Sequence, residues 1–240
     1  MNSVRLAFTW LTVLPIRGPA TVDRTNAGRA ISLAPIVGLV LGAGAGLVWC
    51  LMCLAGSAPI VAGFVVVAFL TLATRAMHLD GLSDTFDALG TYGTPERARE
   101  VMKSGPAGPF GIVAIVLAIA LQATGFAQLE PIGIGLAVVA GRVAVVAACL
   151  RGVSPVPTDG FGSLVASTQS RWIAAAWFAV LCGASVLLSP FAPIVVVVAA
   201  AVGALFVRHC VRRLGSVGGD VLGALTEVTV AITAVGFSLF

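Results

Sequence analysis

Long apolar runs separated by short polar punctuation dominate the pattern of this chain. A hydrocarbon layer needs about 20 apolar residues in helical form to be crossed. About seven stretches approach that length: Leu33–Leu54, Ile60–Met77, Gly108–Ala127, Ile132–Leu150, Trp172–Leu188, Phe191–Val207 and Val221–Leu239. The connectors Ala55–Pro59, Gln128–Pro131 and Ser189–Pro193 are short and rich in Pro, Gly or Ser, so they read as hairpin turns between antiparallel neighbours. Gly38, Gly42, Gly44 and Gly46 in the first run suit close helix packing. The expected fold class is all-α: a polytopic integral membrane helical bundle of about seven transmembrane helices with cytoplasmic loops, forming a single domain over residues 1–240. Met1–Ile16, with Phe8 and Trp10, is expected to form a short interfacial helix, and no removable signal peptide is expected.

Composition explains why a water-facing surface is excluded. The chain is 59% hydrophobic and only 10% charged, with a mean hydropathy of +1.06. A soluble domain carries about 25% charged residues, so this chain must use the lipid bilayer as part of its solvent. The net charge of +4 comes almost wholly from Arg, with a single Lys at position 103. That balance reads as membrane topology, with no nucleic-acid partner. The three short connectors hold no Lys or Arg. Arg5, Arg17, Arg24 and Arg29 precede the first run; Arg97, Arg99 and Lys103 follow the second. Arg151 and Arg171 bracket the loop after the fourth, and Arg208, Arg212 and Arg213 follow the sixth. All fall on one side, so the positive-inside rule predicts a multi-pass protein of the cytoplasmic (inner) membrane. Its N-terminus and long loops face the cytoplasm, and its C-terminus lies on the far side. The five cysteines lie in or beside apolar runs and read as packing residues, the Cys50-x-x-Cys53 pair included.

Charge then concentrates in one place. His78-Leu-Asp-Gly-Leu-Ser-Asp-Thr-Phe-Asp87 sets a histidine and three carboxylates where the second apolar run ends. Asp80, Asp84 and Asp87 are spaced i, i+4, i+7, which on a helix projects them from one face. Like charges so arranged repel, and a divalent cation relieves them; hard oxygen ligands suit Mg²⁺ or Mn²⁺, with water and substrate phosphates completing the shell. Gly81 beside them would let a phosphate or metal approach the backbone. On a continuous helix His78 points the opposite way and reaches the site only if the helix starts after it; base, hydrogen-bond donor and interfacial residue all stay open. Lys103 directly precedes the Gly/Pro-rich turn Ser104–Gly111, whose backbone N–H groups at a helix start suit an anion. Arg75, Arg142 and Glu227 fall within apolar runs. Arg75 is near a span end and can snorkel, whereas Arg142 needs a carboxylate or a bound phosphate. Glu227 follows Asp220 at i+7 on a shared face, extending a polar site or pairing with Arg142.

These strings resemble a known family. His78-x-Asp-Gly-Leu-Ser-Asp-x-x-Asp87 resembles the H-x-D-G-L-A-D-x-x-D-G motif of adenosylcobinamide-GDP ribazoletransferases, the cobalamin synthases. Phe8–Pro15, Gly28-Arg-Ala through Pro35-Ile-Val-Gly-Leu, Glu100-Val-Met-Lys with Gly108-Pro-Phe-Gly, and Arg213-Leu-Gly-Ser-Val-Gly-Gly-Asp-Val-Leu-Gly-Ala-Leu-Thr-Glu227 resemble further family segments in order. Arg142 sits where the family has a Ser-Arg in a span. The chain departs at Ser104-Gly105-Pro106, where the family has Asp-Ser-Arg, and at Gly218 and Ala88. The resemblance implies a Mg²⁺-dependent late step of cobalamin biosynthesis. Adenosylcobinamide-GDP would be joined to α-ribazole or its 5′-phosphate with release of GMP. It implies Asp80, Asp84 and Asp87 as metal ligands, Asp84 and His78 as catalytic groups, and Lys103, Arg142, Asp220 and Glu227 as substrate- or phosphate-binding groups. Oligomeric state is not implied.

Two rivals are weighed against this. A CDP-alcohol phosphotransferase needs Ala-Arg where Ser83-Asp84 stands, and its downstream acidic spacing fails here. A cation-coupled transporter would place its carboxylates near the bilayer midplane on broken helices, whereas these lie at the mouth of a span.

Overall fold

The computed structural model describes residues 2–19, 21–103, 106–152 and 161–240. Among these the chain forms α1 (Asn2–Leu11), α2 (Arg24–Ser32), α3 (Ala34–Leu54), α4 (Pro59–Ala73), α5 (Met77–Gly90), α6 (Pro95–Lys103), α7 (Pro109–Phe126), α8 (Pro131–Ala148), α9 (Phe161–Val165), α10 (Arg171–Ser185), α11 (Ala192–Leu214) and α12 (Gly219–Phe237). The described residues contain no β-strand, only an isolated bridge between Leu150 and Gln169. The all-α bundle is as expected. Ser104, Gly105 and residues 153–160, on which part of the anion-binding turn and of the loop after the fourth run fall, lie outside the described residues.

Proline starts the membrane helices. It occupies the first turn of α3, α4, α7, α8 and α11, where its missing N–H has no intrahelical acceptor to lose and its fixed φ suits the helix. Helix α2 starts instead on Asp23, whose side chain accepts from the Asn26 backbone N–H at 2.7 Å. Among the described residues five helices are long and apolar enough to cross a membrane: α3, α7, α8, α11 and α12. Helix α10 is apolar but has only 15 residues.

Two expected boundaries move. The run Ile60–Met77 does not continue as one helix: α4 ends at Ala73 and α5 leaves its axis at 91°. The sixth span runs on past Val207 to Leu214, so Arg208, Arg212 and Arg213 belong to its last turns. There they favour the negative end of the helix dipole. Gly215, at φ 87°, closes α11 in the left-handed conformation, its N–H donating to Val211 O at 2.9 Å.

Helices α8 and α12 form the centre: 72% and 67% of their apolar windows are buried, against 22% for α11 at the rim. Helix α3 reaches α8 because a Cβ on Gly42 would stand 2.8 Å from the Gly135 Cα, so only glycine permits that approach. Helix α1 is not merely interfacial. Its Leu6 and Ala7 are fully buried in the main core, and its end braces the α4–α5 break, Val13 N donating to Ala73 O at 2.8 Å. Gln169, 1% exposed, ties α2 to the segment before α10: its Nε2 donates to Gly28 O at 2.8 Å and its Oε1 accepts from Ser32 Oγ at 2.8 Å.

Candidate active site

The site begins at the break. Arg75 and Ala76 hold φ values of 56° and 54°, a left-handed conformation that side chains with a Cβ rarely adopt. Two in succession store strain, and the surroundings hold them: Ala76 N donates to Thr71 O at 2.7 Å, and the Arg75 guanidinium to Thr9 O at 3.2 Å. Arg75 is exposed there. The chain then turns into α5, which carries three carboxylates at a steep angle to the span and is not part of it.

One face of α5 packs on α12. A Cβ on Gly81 would meet Asp220 O at 2.7 Å, and one on Gly223 would meet the His78 Cα at 3.2 Å. Gly81 therefore admits the start of α12, where the sequence suggested a phosphate or metal. The flank beside that packed face carries Asp80, which is exposed, and Asp84, which is half-buried. Burial, then the neighbouring carboxylates of Asp80, Asp220 and Asp87, push the Asp84 carboxyl up to about 6. Asp220 thus joins the cluster from a helix far along the chain.

Asp87 is engaged differently. Its Oδ2 accepts from Gly108 N at 2.7 Å and its Oδ1 from Gly111 N at 2.9 Å. The anion at the Gly/Pro-rich helix start is therefore this chain's own carboxylate, capping α7 across 21 residues. Each oxygen keeps a further lone pair. Asp84, Asp87, Val101, Pro106 and Phe110 line a cavity of about 230 Å³ between α5, α6 and the start of α7. Lys103 is exposed at the end of α6 and is not among the lining residues.

His78 does not join the carboxylates. Helix α5 already begins at Met77, so His78 points inward, 8% exposed, with Nδ1 3.7 Å from Glu227 Oε1. Burial, then the Arg142 charge, hold it well below its usual range, so the imidazole meets Glu227 in its neutral form. Beneath the carboxylates lies a second, inner polar cluster: His78, Glu227, Arg142 and Gln122. Gln122 Nε2 donates to Glu227 Oε2 at 2.6 Å. Arg142 is 5% exposed, and among the described residues no carboxylate stands within ion-pair distance of it.

Among the described residues no group of three or more His, Cys, Asp or Glu side chains is placed to hold a metal ion by itself. The donor set fits a looser site. Mg²⁺ is held by one or two carboxylates and keeps several waters and substrate phosphates, and mutually repelling carboxylates around Asp84 are what such an ion relieves.

The family model described as cobalamin-5-phosphate synthase matches residues 3–238. The chain belongs to the cobalamin-5-phosphate synthase family. Curated proteins named adenosylcobinamide-GDP ribazoletransferase are similar to it over nearly full length. That of Corynebacterium efficiens is 36% identical, over 98% of this chain and 90% of its own. That of Nocardioides sp. is 38% identical, over 98% and 97%, and that of Stutzerimonas stutzeri 34% identical, over 100% and 98%. No solved structure matches. As a member of the cobalamin-5-phosphate synthase family the chain is a transferase of cobalamin biosynthesis.

Within this family member, sequence reasoning missed Gln122, Ser83 and Thr85. Gln122 had a signal, an amide inside the apolar α7. Among the described residues Ser83 Oγ and Thr85 Oγ1 are buried without a hydrogen-bond partner, and nothing in their local sequence announces it.

Proposed function

We propose that this chain joins adenosylcobinamide-GDP to α-ribazole, or to α-ribazole 5′-phosphate, with release of GMP and dependence on Mg²⁺. The observation that carries the reading is that Asp80, Asp220 and Asp87 lie near enough to Asp84 to raise its carboxyl, beside a cavity lined by Asp84 and Asp87. Asp80 and Asp84 would hold the ion, with Asp220 and the remaining lone pairs of Asp87 beside them. When bound, the ion neutralises charge developing on the cleaved pyrophosphate. The rest falls to the chain's own groups. Asp87 fixes the start of α7 against the cavity. Arg142, a buried guanidinium with no ion-pair partner among the described residues, offers its donors to a phosphate. Lys103, exposed at the end of α6, supplies a second positive charge on the same side of the bundle. A carboxylate of the outer cluster takes the proton of the attacking ribazole hydroxyl, since His78 faces inward. Glu227, held by Gln122, keeps the inner cluster in place.

The basic ends of α6 and α11 and the acidic cluster share one side, which supports a multi-pass protein of the cytoplasmic membrane with this site facing the cytoplasm. Mass spectrometry of the corrinoid product tests the reading. Purified protein given adenosylcobinamide-GDP, Mg²⁺ and either ribazole form should yield the joined corrinoid. Absence of product with both forms, in a folded preparation, contradicts it.

A further inference from the structure

On the other side of α12 from the carboxylates lies a cavity of about 480 Å³ bounded by α8, α10, α11 and α12. Its lining is almost wholly apolar along one stretch and basic at one end. On α11 the lining residues Ala200, Ala204, Arg208 and Arg212 follow one another at i+4, so they form one stripe along the helix. All four are exposed. The alanines leave the groove open within the span, and the arginines stand where α11 leaves it. Among the described residues neither arginine makes an ion pair.

We propose that this groove seats one anionic phospholipid from the leaflet on the side of the acidic site. The phosphate lies on Arg208 and Arg212, and one acyl chain runs along Ala204 and Ala200. Two unpaired cations at the end of an apolar groove select an anionic headgroup on a long apolar tail. The inference does not depend on the transferase reading.

Native mass spectrometry tests it on the full chain released from a neutral detergent containing equal amounts of phosphatidylglycerol and phosphatidylcholine. Wild-type protein should retain one phosphatidylglycerol in preference to phosphatidylcholine by at least about tenfold. Arg208→Gln with Arg212→Gln should lose that preference, and Ala204→Phe should lose the lipid itself. All three positions are exposed, and circular dichroism in detergent should show unchanged helix content. Equal retention of the two lipids by wild-type protein overturns the proposal. So does an undiminished preference in the double arginine variant. Displacement of the phosphatidylglycerol by inorganic phosphate, with Ala204→Phe binding as wild type, would assign the arginines to a soluble anion instead.

Discussion

Asp84 and Asp87 stand three residues apart and do opposite things to the folded chain. Asp84 is held among like charges, so Asp84→Asn should abolish turnover while leaving the melting temperature in detergent unchanged or slightly higher. Asp87 ties down two N–H groups of α7, so Asp87→Asn should lose activity and also cost about 1–2 kcal/mol of stability. Equal melting temperatures for the two variants would remove the capping role. The raised Asp84 carboxyl has a consequence for pH. Between the ordinary carboxylate range and about 6 the folded chain holds a proton that the unfolded chain has released, so this group's contribution to stability falls as pH rises through that window. A cation must displace the same proton. Mg²⁺ affinity, followed by thermal shift, should therefore weaken as pH falls below about 6; identical titrations at pH 5.5 and 7.5 would contradict this. Arg142→Leu should raise KM for the GDP-bearing substrate far more than it lowers kcat, because the guanidinium has no ion pair to a carboxylate among the described residues to lose. The i, i+4, i+7 carboxylates were legible in sequence because helical periodicity orders them. Asp87's bond to Gly108 and Gln122's bond to Glu227 were not, since one spans 21 residues and the other 105.

At the scale of elements, the crossing of α5 and α12 is what assembles the acidic cluster, and Gly81 and Gly223 are what permit it. Gly81→Ala places a methyl 2.7 Å from Asp220 O, and backbone cannot yield as a flexible side chain would. Activity should fall by at least about tenfold with helix content unchanged by circular dichroism; full activity would show that Asp220 need not approach α5 so closely. Spans were legible wherever an apolar run met a proline start, as at Pro109 and Pro131. The α4–α5 break was not, because apolar residues continue to Met77 and hydropathy carries no record of the left-handed Arg75 and Ala76. The far end of α11 was also misplaced, since arginines read as loop residues but serve as the last turns of a helix.

For the whole molecule, the bundle puts the acidic cluster, the ends of α6 and α11 and the N-terminal arginines on one side and the end of α12 on the other. Single cysteines introduced at Tyr92 and Phe240 in a background freed of the native cysteines should label from opposite faces of sealed vesicles, since both positions are exposed. Labelling from one face would overturn the topology. The transferase assignment follows from family membership, whereas the chemistry of its carboxylates is the central claim. It is tested most directly by GMP release from adenosylcobinamide-GDP and α-ribazole, comparing wild type with Asp84→Asn, each with Mg²⁺ and with a chelator. The account predicts release by the wild type with Mg²⁺ alone, and none in the other three conditions. Release by Asp84→Asn at the wild-type rate, or release that survives the chelator, would contradict it.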